Sequence, residues 1–214
     1  MSEGFTVFIV DDDPGVLKAL SRLLRTADYE TRIFASPRAF LASHDPSLPG
    51  CAIFDVAMPD VDGLALQRVL AAAGVVRPII FISGKGDVPT SVQAMKAGAI
   101  DFLTKPVSGD DLVAAIARAR QAEAGARRIR SERAAIEAGL AKLTPREREV
   151  LDYVVAGQLN KQIAGELGTV EKTIKVHRAR MMHKLGVRTV QDLVRLAERV
   201  DIRPSPSVAQ RRPL

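Results

Sequence analysis

Phe8-Ile9-Val10-Asp11-Asp12-Asp13-Pro14 is the stretch on which the reading of this chain turns. Three apolar residues form a strand-like run that stops at a carboxylate triplet, and Pro14 suits the first turn of a helix. An apolar run ending in a polar group returns at Ile53-Phe54-Asp55, Ile82-Ser83-Gly84 and Thr104-Lys105-Pro106. A parallel sheet delivers functional groups from several strand ends to one edge in this way. If Asp11, Asp12 and Asp55 converge there, each close pair costs about 4 kcal/mol of repulsion at an effective dielectric near 20. Such a cluster calls for a cation.

Working outward, strand-like runs recur near residues 5–10, 31–34, 51–54, 79–82 and 100–103. Between them apolar residues fall at helical spacing, as in Val16, Leu20, Leu23 and Leu24, and in Leu64, Val69 and Leu70. Five alternations predict an α/β domain over residues 1–120: a five-stranded, doubly wound parallel sheet with helices on both faces and right-handed crossovers. Its ligand site is expected beyond the carboxyl ends of the strands, where Asp11, Asp12, Asp55, Ser83 and Lys105 all fall.

A chain of 214 residues has room for a second small domain, and its 47% hydrophobic content is enough for real cores. The single cysteine, Cys51, rules out an internal disulfide and a cysteine metal cage, and its apolar surroundings predict core packing. No apolar run approaches the roughly 18 residues of a membrane helix. The first residues lack a signal pattern and meet three aspartates by position 13, so a cytoplasmic protein is expected. The net charge of +6 hides an asymmetry: residues 1–120 carry 12 basic and 14 acidic groups, residues 121–214 carry 19 and 11. The first part suits small cations or phosphoryl groups and the second a polyanion.

Helical spacing continues from Leu112 to about Leu143, with 121–142 read as a helical linker. Leu112, Ala115, Ala119, Ala122, Ala126, Ile129, Arg133, Ile136, Leu140 and Leu143 trace a heptad seam with one charged exception. This seam either pairs with a second copy or is a solvated linker, because alanine buries little and Gly125 and Gly139 weaken the helix by about 1 kcal/mol each. A second, all-α domain of four helices is expected over 143–202. It opens on the capping box Thr144-Pro-Arg-Glu147 and continues with helices near 160–167, 171–185 and 189–200. The turn Gly168-Thr169-Val170 between a short helix and a longer basic one is a helix-turn-helix signature. Residues 203–214, rich in Pro and Ser, read as a disordered tail. On the helix from 171, Lys172, Lys175, Val176, Ala179 and His183 share a face, opposite Ile174, Met181 and Leu185. Lys172 and Lys175 suit base edges or phosphates, Val176 a thymine methyl, and Arg178, Arg180 and Lys184 phosphates. His177 fits packing beside Ile174 or a phosphate contact. Val190, Leu193, Val194 and Ala197 form either a dimer surface or part of the small domain's core.

Hard carboxylate oxygens at a sheet edge favour magnesium over zinc, with Asp12 and Asp55 as direct ligands and Asp11 acting through water. A carboxylate beside magnesium can be a nucleophile towards phosphorus, Lys105 can neutralise the transferring oxygens, and Ser83 can donate a hydroxyl hydrogen bond. Pro106 suggests a cis bond that aims Lys105, although most bonds before proline are trans. Asp13 is expected as a cap, Asp60 and Asp62 as turn residues, Phe102 as a core aromatic and Lys85 as a surface lysine.

Asp11-Asp12, Asp55, Met58-Pro59-Asp60, Gly63, Ser83-Gly84 and Lys105-Pro106 together resemble the receiver domain of two-component response regulators, over roughly 4–120. Leu143-Thr-Pro-Arg-Glu147, Val150-Leu151, Gly157, Asn160-Lys161, Ile163-Ala164, Thr173-Ile174, Val176-His177 and Lys184-Leu185 resemble the LuxR-type helix-turn-helix domain. The whole is similar to response regulators of the NarL/FixJ class, nearer FixJ in Gly86-Asp87-Val88-Pro89 and in Ala94 to Ala99. The resemblance implies a flavodoxin-like receiver in which Asp55 takes a phosphoryl group from a sensor histidine kinase. It implies that Asp11, Asp12, Asp55 and the Ala57 backbone carbonyl hold magnesium, that Ser83 and Phe102 are switch residues, and that Lys85 and Ala57 tune the phosphate lifetime. Asn160 and Lys161 join the DNA-contacting set, and a homodimer on promoter DNA is expected. Val170 departs from the family's frequent capping serine, which makes Thr169 an alternative cap. Two rivals remain: an aspartate-based phosphohydrolase with Asp11 as nucleophile and Asp13 as acid-base partner, and a phosphate-independent DNA binder. A phosphorylation-controlled transcriptional regulator, not an enzyme, is the expected function.

Overall fold

A computed structural model describes residues 4–84 and 87–202, so the expectations for Lys85, for Gly86 and for the tail 203–214 lie outside the described residues. The chain divides into two compact units between Arg127 and Arg128.

In the first unit, strands β1 (Thr6–Val10), β2 (Glu30–Phe34), β3 (Gly50–Asp55), β4 (Ile79–Ser83) and β5 (Asp101–Thr104) form one parallel sheet in the order β2-β1-β3-β4-β5. Helices α1 (Pro14–Thr26), α2 (Pro37–Ser43), α3 (Gly63–Ala72), α4 (Val88–Lys96) and α5 (Gly109–Ala141) fill the connections and follow the last strand. Alternation along each strand sorts the core into two layers. Val7, Ile9, Cys51, Ile53, Ile80 and Ile82 pack with Leu17, Leu20 and Leu24 of α1 and Leu112, Ala115, Ile116 and Ala119 of α5. Phe8, Val10, Ala52, Phe54 and Phe81 pack on the other face with Phe40 of α2, Leu64, Leu66 and Leu70 of α3, and Ala94 of α4. Both faces of β1, β3 and β4 are covered, which is why these strands read as unbroken apolar runs. Each large side chain buried this way contributes about 1.5–3 kcal/mol. Burial pushes the Cys51 thiol up to about 12, so Cys51 behaves as a small apolar residue. Val69, expected on the apolar stripe of α3, is exposed instead, because that stripe follows Gly63, Leu66, Gln67 and Leu70.

The second unit holds the end of α5 and helices α6 (Pro145–Val155), α7 (Asn160–Glu166), α8 (Glu171–Lys184) and α9 (Val190–Arg199). Thr144 and Glu147 form the expected capping box at α6. Gly168 takes the left-handed conformation, with φ of +59°, that the tight turn into α8 requires. Val150, Leu151, Val154, Ile163, Ile174, Met181, Leu185, Leu193 and Leu196 make the core. Leu193 and Ala197 are buried in this unit, so the expectation of a dimer surface at these two positions is corrected in favour of packing.

The ten-position seam is not free for a partner either. Leu112, Ala115 and Ala119 are consumed by the first unit's core, while Ile136, Leu140 and Leu143 pack on the second unit's. Ala122, Ala126, Ile129 and Arg133 remain, too short and too alanine-rich for a stable coiled coil on their own. Gly139, costly in a helix by itself, lets α5 pass close to α8: a Cβ there would meet the Lys184 carbonyl oxygen at 3.2 Å.

Candidate functional site

The carboxyl ends of β1, β3, β4 and β5 bring Asp11, Asp55, Ser83 and Lys105 together. The Asp11 amide donates to the Phe34 carbonyl at 3.2 Å, carrying the chain off β1, and Asp11 Oδ1 accepts from the Asp13 amide at 2.9 Å. Asp55 ends β3, and its Oδ2 accepts from the Ala57 amide at 2.7 Å. The Lys105 amide donates to the Ser83 carbonyl at 2.8 Å, which sets the lysine beside β4. From there Lys105 Nζ reaches Asp11 Oδ2 and Asp55 Oδ1, each at 2.7 Å. Asp11, Asp55 and Ser83 are buried, and the Lys105–Pro106 bond is cis.

Burial raises the Asp11 carboxyl above the ordinary carboxylate value, against the opposing pull of its hydrogen bond from Lys105. Burial tends to lower the Lys105 ammonium, yet its hydrogen bonds to Asp11 and Asp55 leave it raised overall. Lys105 therefore supplies one positive charge to the two buried carboxylates. Two carboxylates converge on it, not three: Asp12 is exposed, and among the described residues no group of three His, Cys, Asp or Glu side chains is arranged to hold a metal ion. The donors at this edge are nonetheless all hard oxygens, and two of the carboxylates, Asp11 and Asp55, are buried side by side, so the residues fit a divalent cation.

The remaining expectations sort by position. Asp13 caps α1, accepting from the Gly15 amide at 2.7 Å and the Val16 amide at 3.3 Å, so its carboxylate is committed and the acid-base role of the phosphohydrolase reading is unsupported. Asp62 caps α3 and Asp60 takes a left-handed turn conformation. Phe102 is half-buried, 6.5 Å from the Phe81 ring, on the half-covered edge strand.

Gly63 ties the site to the core. A Cβ there would lie 2.3 Å from the Asp55 carbonyl oxygen and 3.1 Å from Phe81. Overpacking of this kind costs about 1–3 kcal/mol, so Gly63→Ala is expected to lower stability by about 2 kcal/mol and to displace the end of β3. Thermal unfolding of the full chain reads the first effect, and an unchanged midpoint would mean that the backbone yields freely.

On α8, Lys172, Lys175, Val176, Ala179 and His183 are exposed together, while Ile174, Met181 and Leu185 are buried. Arg180 and Lys161 are exposed, and His177 is half-buried. Arg178 Nη1 donates to Asn160 Oδ1 at 2.9 Å, joining α8 to the start of α7. Lys184 must be withdrawn from the DNA-contacting set. Its ammonium donates to Glu147 Oε2 at 2.6 Å and to the Lys142 carbonyl at 3.0 Å, so its charge is spent inside the fold, and this bond holds the Glu147 carboxyl below its ordinary value.

A family model described as the response regulator receiver domain matches residues 7–117, and one described as bacterial regulatory proteins, luxR family, matches residues 141–197. The chain belongs to the response regulator family. Response regulator protein TmoT of Ectopseudomonas mendocina is 46% identical over 194 residues, which span 91% of this chain and 88% of TmoT. Transcriptional regulatory protein FixJ of Bradyrhizobium diazoefficiens is 41% identical over 196 residues, 90% of this chain and 94% of FixJ. The solved structure of response regulator StyR, 44% identical, matches with a TM-score of 0.82 over 91% of this chain and 98% of StyR. This response regulator is a phosphorylation-controlled transcription regulator built from a receiver and a LuxR-type DNA-binding domain, and neither matched family is one of enzymes.

Two features of this response regulator escaped the sequence reading. Arg146 donates to the Leu167 carbonyl at 2.6 Å and pairs with Glu149, pinning the turn that precedes α8. Only the fold brings α6 to that turn. Glu171 pairs with Lys175 at 2.9 Å, and the four-residue spacing of the two charges was visible in the sequence. Val170, not Thr169, is the N-cap of α8, in extended geometry with no side-chain cap hydrogen bond. A serine at an N-cap contributes about 1 kcal/mol relative to an aliphatic residue. Val170→Ser is therefore expected to raise the stability of the DNA-binding unit by about that amount, read as a later urea midpoint by circular dichroism, and no shift would mean that the first turn is already satisfied.

Proposed function

We propose that Asp55 is the phosphoacceptor through which a sensor histidine kinase controls DNA binding by this chain in the cytoplasm. The observation that carries this reading is the buried Asp55 carboxylate at the end of β3, held 2.7 Å from Lys105 Nζ with buried Ser83 on the neighbouring strand. An Asp55 carboxylate oxygen attacks the phosphorus of the kinase's phosphohistidine, the P–N bond breaks and the imidazole leaves as the acyl phosphate forms; Lys105 is close enough to neutralise the transferred oxygens, and the Ser83 hydroxyl stands at the end of β4 as a neutral donor. Asp11, Asp12, Asp55 and the Ala57 carbonyl are the residues that would hold magnesium, which supplies charge neutralisation at phosphorus when bound. Among the described residues no helix is long and apolar enough to cross a membrane.

Phosphorylation must stabilise one receiver state over another, since equal stabilisation of both shifts nothing. Exposed Val88, Val92 and Met95 form a row along α4, a face suited to a second copy in a phosphorylated homodimer, and in this reading Phe102 and Ser83 are the residues that change position. Our division assigns 1–120 to the receiver, 121–142 to the linker and 143–202 to the DNA-binding domain. Asn160, Lys161, Lys172, Lys175, Val176 and Arg178 contact promoter DNA in this reading, with the exposed face of α8 that carries Lys172, Lys175 and Val176 in the major groove.

The test treats the full chain with magnesium and a small phosphoryl donor, maps the acyl phosphate by peptide mass, and compares DNA affinity before and after. Modification at Asp55 with tighter DNA binding is expected. Modification at Asp11, or equal affinity in both states, would defeat the proposal.

A further inference from the structure

α8 is strongly basic, yet its first residue is a carboxylate on the approach to the groove-facing side. Glu171 Oε1 lies 2.9 Å from Lys175 Nζ, and the two side chains are 45% and 63% exposed. An exposed pair four residues apart contributes little to stability, so the contact does not explain itself as a structural bond. In a helix that approaches phosphates it also carries a cost, because Glu171 repels the DNA backbone and engages one of the lysines offered to it. A carboxylate has only acceptor atoms. In the major groove its partners are base amino groups, foremost the cytosine N4 group, while a lysine ammonium donates to guanine O6 and N7. A bridged Glu171–Lys175 pair therefore presents an acceptor beside a donor, the complement of the cytosine and guanine edges of a G·C pair. Val176, 43% exposed and adjacent to Lys175, continues this face with an apolar group suited to a thymine methyl.

We propose that Glu171 is a specificity-determining residue: with Lys175 it reads a G·C pair in the promoter, and it does so by rejecting other bases as much as by binding cytosine. This rests on the reading that α8 enters the major groove. Glu171 also sits in the first turn, where a negative charge stabilises a helix. That role affects melting and leaves base preference alone, which separates the two.

The experiment selects bound DNA from a random duplex pool with the phosphorylated full chain, comparing wild type, Glu171→Ala and Glu171→Gln, with melting measured alongside. For Glu171→Ala, preference for G·C at one position per half-site is expected to fall about tenfold, while affinity for unrelated DNA rises because a repulsive charge is gone. Glu171→Gln should move that position towards A·T, since an amide side chain pairs with adenine N6 and N7. Unchanged base preference in both variants, with only melting or overall affinity altered, overturns the proposal. Should Lys172→Ala and Lys175→Ala bind the selected sites as wild type does, the placement of α8 in the groove fails, and the proposal with it.

Discussion

With Asn in place of Asp55, treatment with magnesium and a small phosphoryl donor is expected to leave the chain unmodified, and its DNA affinity the same with and without donor. The amide keeps the shape of the carboxylate and can still accept from the Ala57 amide, so the fold at the end of β3 is retained. What is lost is the nucleophilic oxygen and one of the two charges that face Lys105. In the wild type, coupling between phosphoryl group and DNA of the size usual for two-site systems, about 5- to 150-fold in affinity, should be visible in the same titration. Modification that persists at Asp11 in the variant would revive a hydrolase-like chemistry for the first strand end. A wild type whose affinity ignores the donor would favour phosphate-independent DNA binding.

Lys105→Met should produce the largest loss of stability. It leaves the Asp11 and Asp55 side chains, only 1% and 6% exposed, facing each other without their cation. Breaking a buried pair from one side costs about 3 kcal/mol or more, which for a domain of this size is roughly 10 °C in the unfolding midpoint. The pH dependence has a definite sign. Burial already raises the Asp11 carboxyl, and in the variant the Lys105 hydrogen bond that lowers it is gone. A carboxyl raised in the fold binds more protons folded than unfolded, so the difference between variant and wild type is greatest near neutral pH and shrinks on acidification as Asp11 takes a proton. In the wild type the raised Lys105 ammonium contributes stability below the ordinary lysine value of 10.5 and loses it as pH rises through the higher folded value. Calorimetry of both chains between about pH 5 and 8 reads the difference. A deficit that widens on acidification contradicts the burial of Asp11 as the cause, and magnesium should narrow the deficit at neutral pH if the same carboxylates hold it.

The five-stranded sheet was legible because its three central strands are covered on both faces. That burial requires uninterrupted apolar runs, and each run ends where the chain leaves the sheet. The capping box at Thr144 and Glu147 was legible for a local reason, since four consecutive residues carry the whole motif. The charge state of the site was not legible in this way. Three adjacent aspartates look alike in sequence, but Asp11 turns into the fold, Asp12 stays exposed and Asp13 caps a helix, a division made by the direction each residue takes at the end of β1. Lys184 looked like a phosphate contact because its helix is basic, and only the arrival of Glu147 from α6 showed where its charge goes. The heptad seam of α5 failed for a related reason: periodicity specifies a face, and the partner of that face is chosen by whatever packs there first.

Local periodicity, capping and turn chemistry are enough to say which residues stand at strand ends and helix starts. The opening run of the sequence, Phe8 to Pro14, determined that carboxylates are delivered to the sheet's edge and that a cation must meet them. That Lys105, 94 positions away from Asp11, is shared by two of these carboxylates emerges from the assembled fold. Pairing between distant charges depends on burial and distance, quantities that exist only once β1, β3 and β5 lie in one sheet.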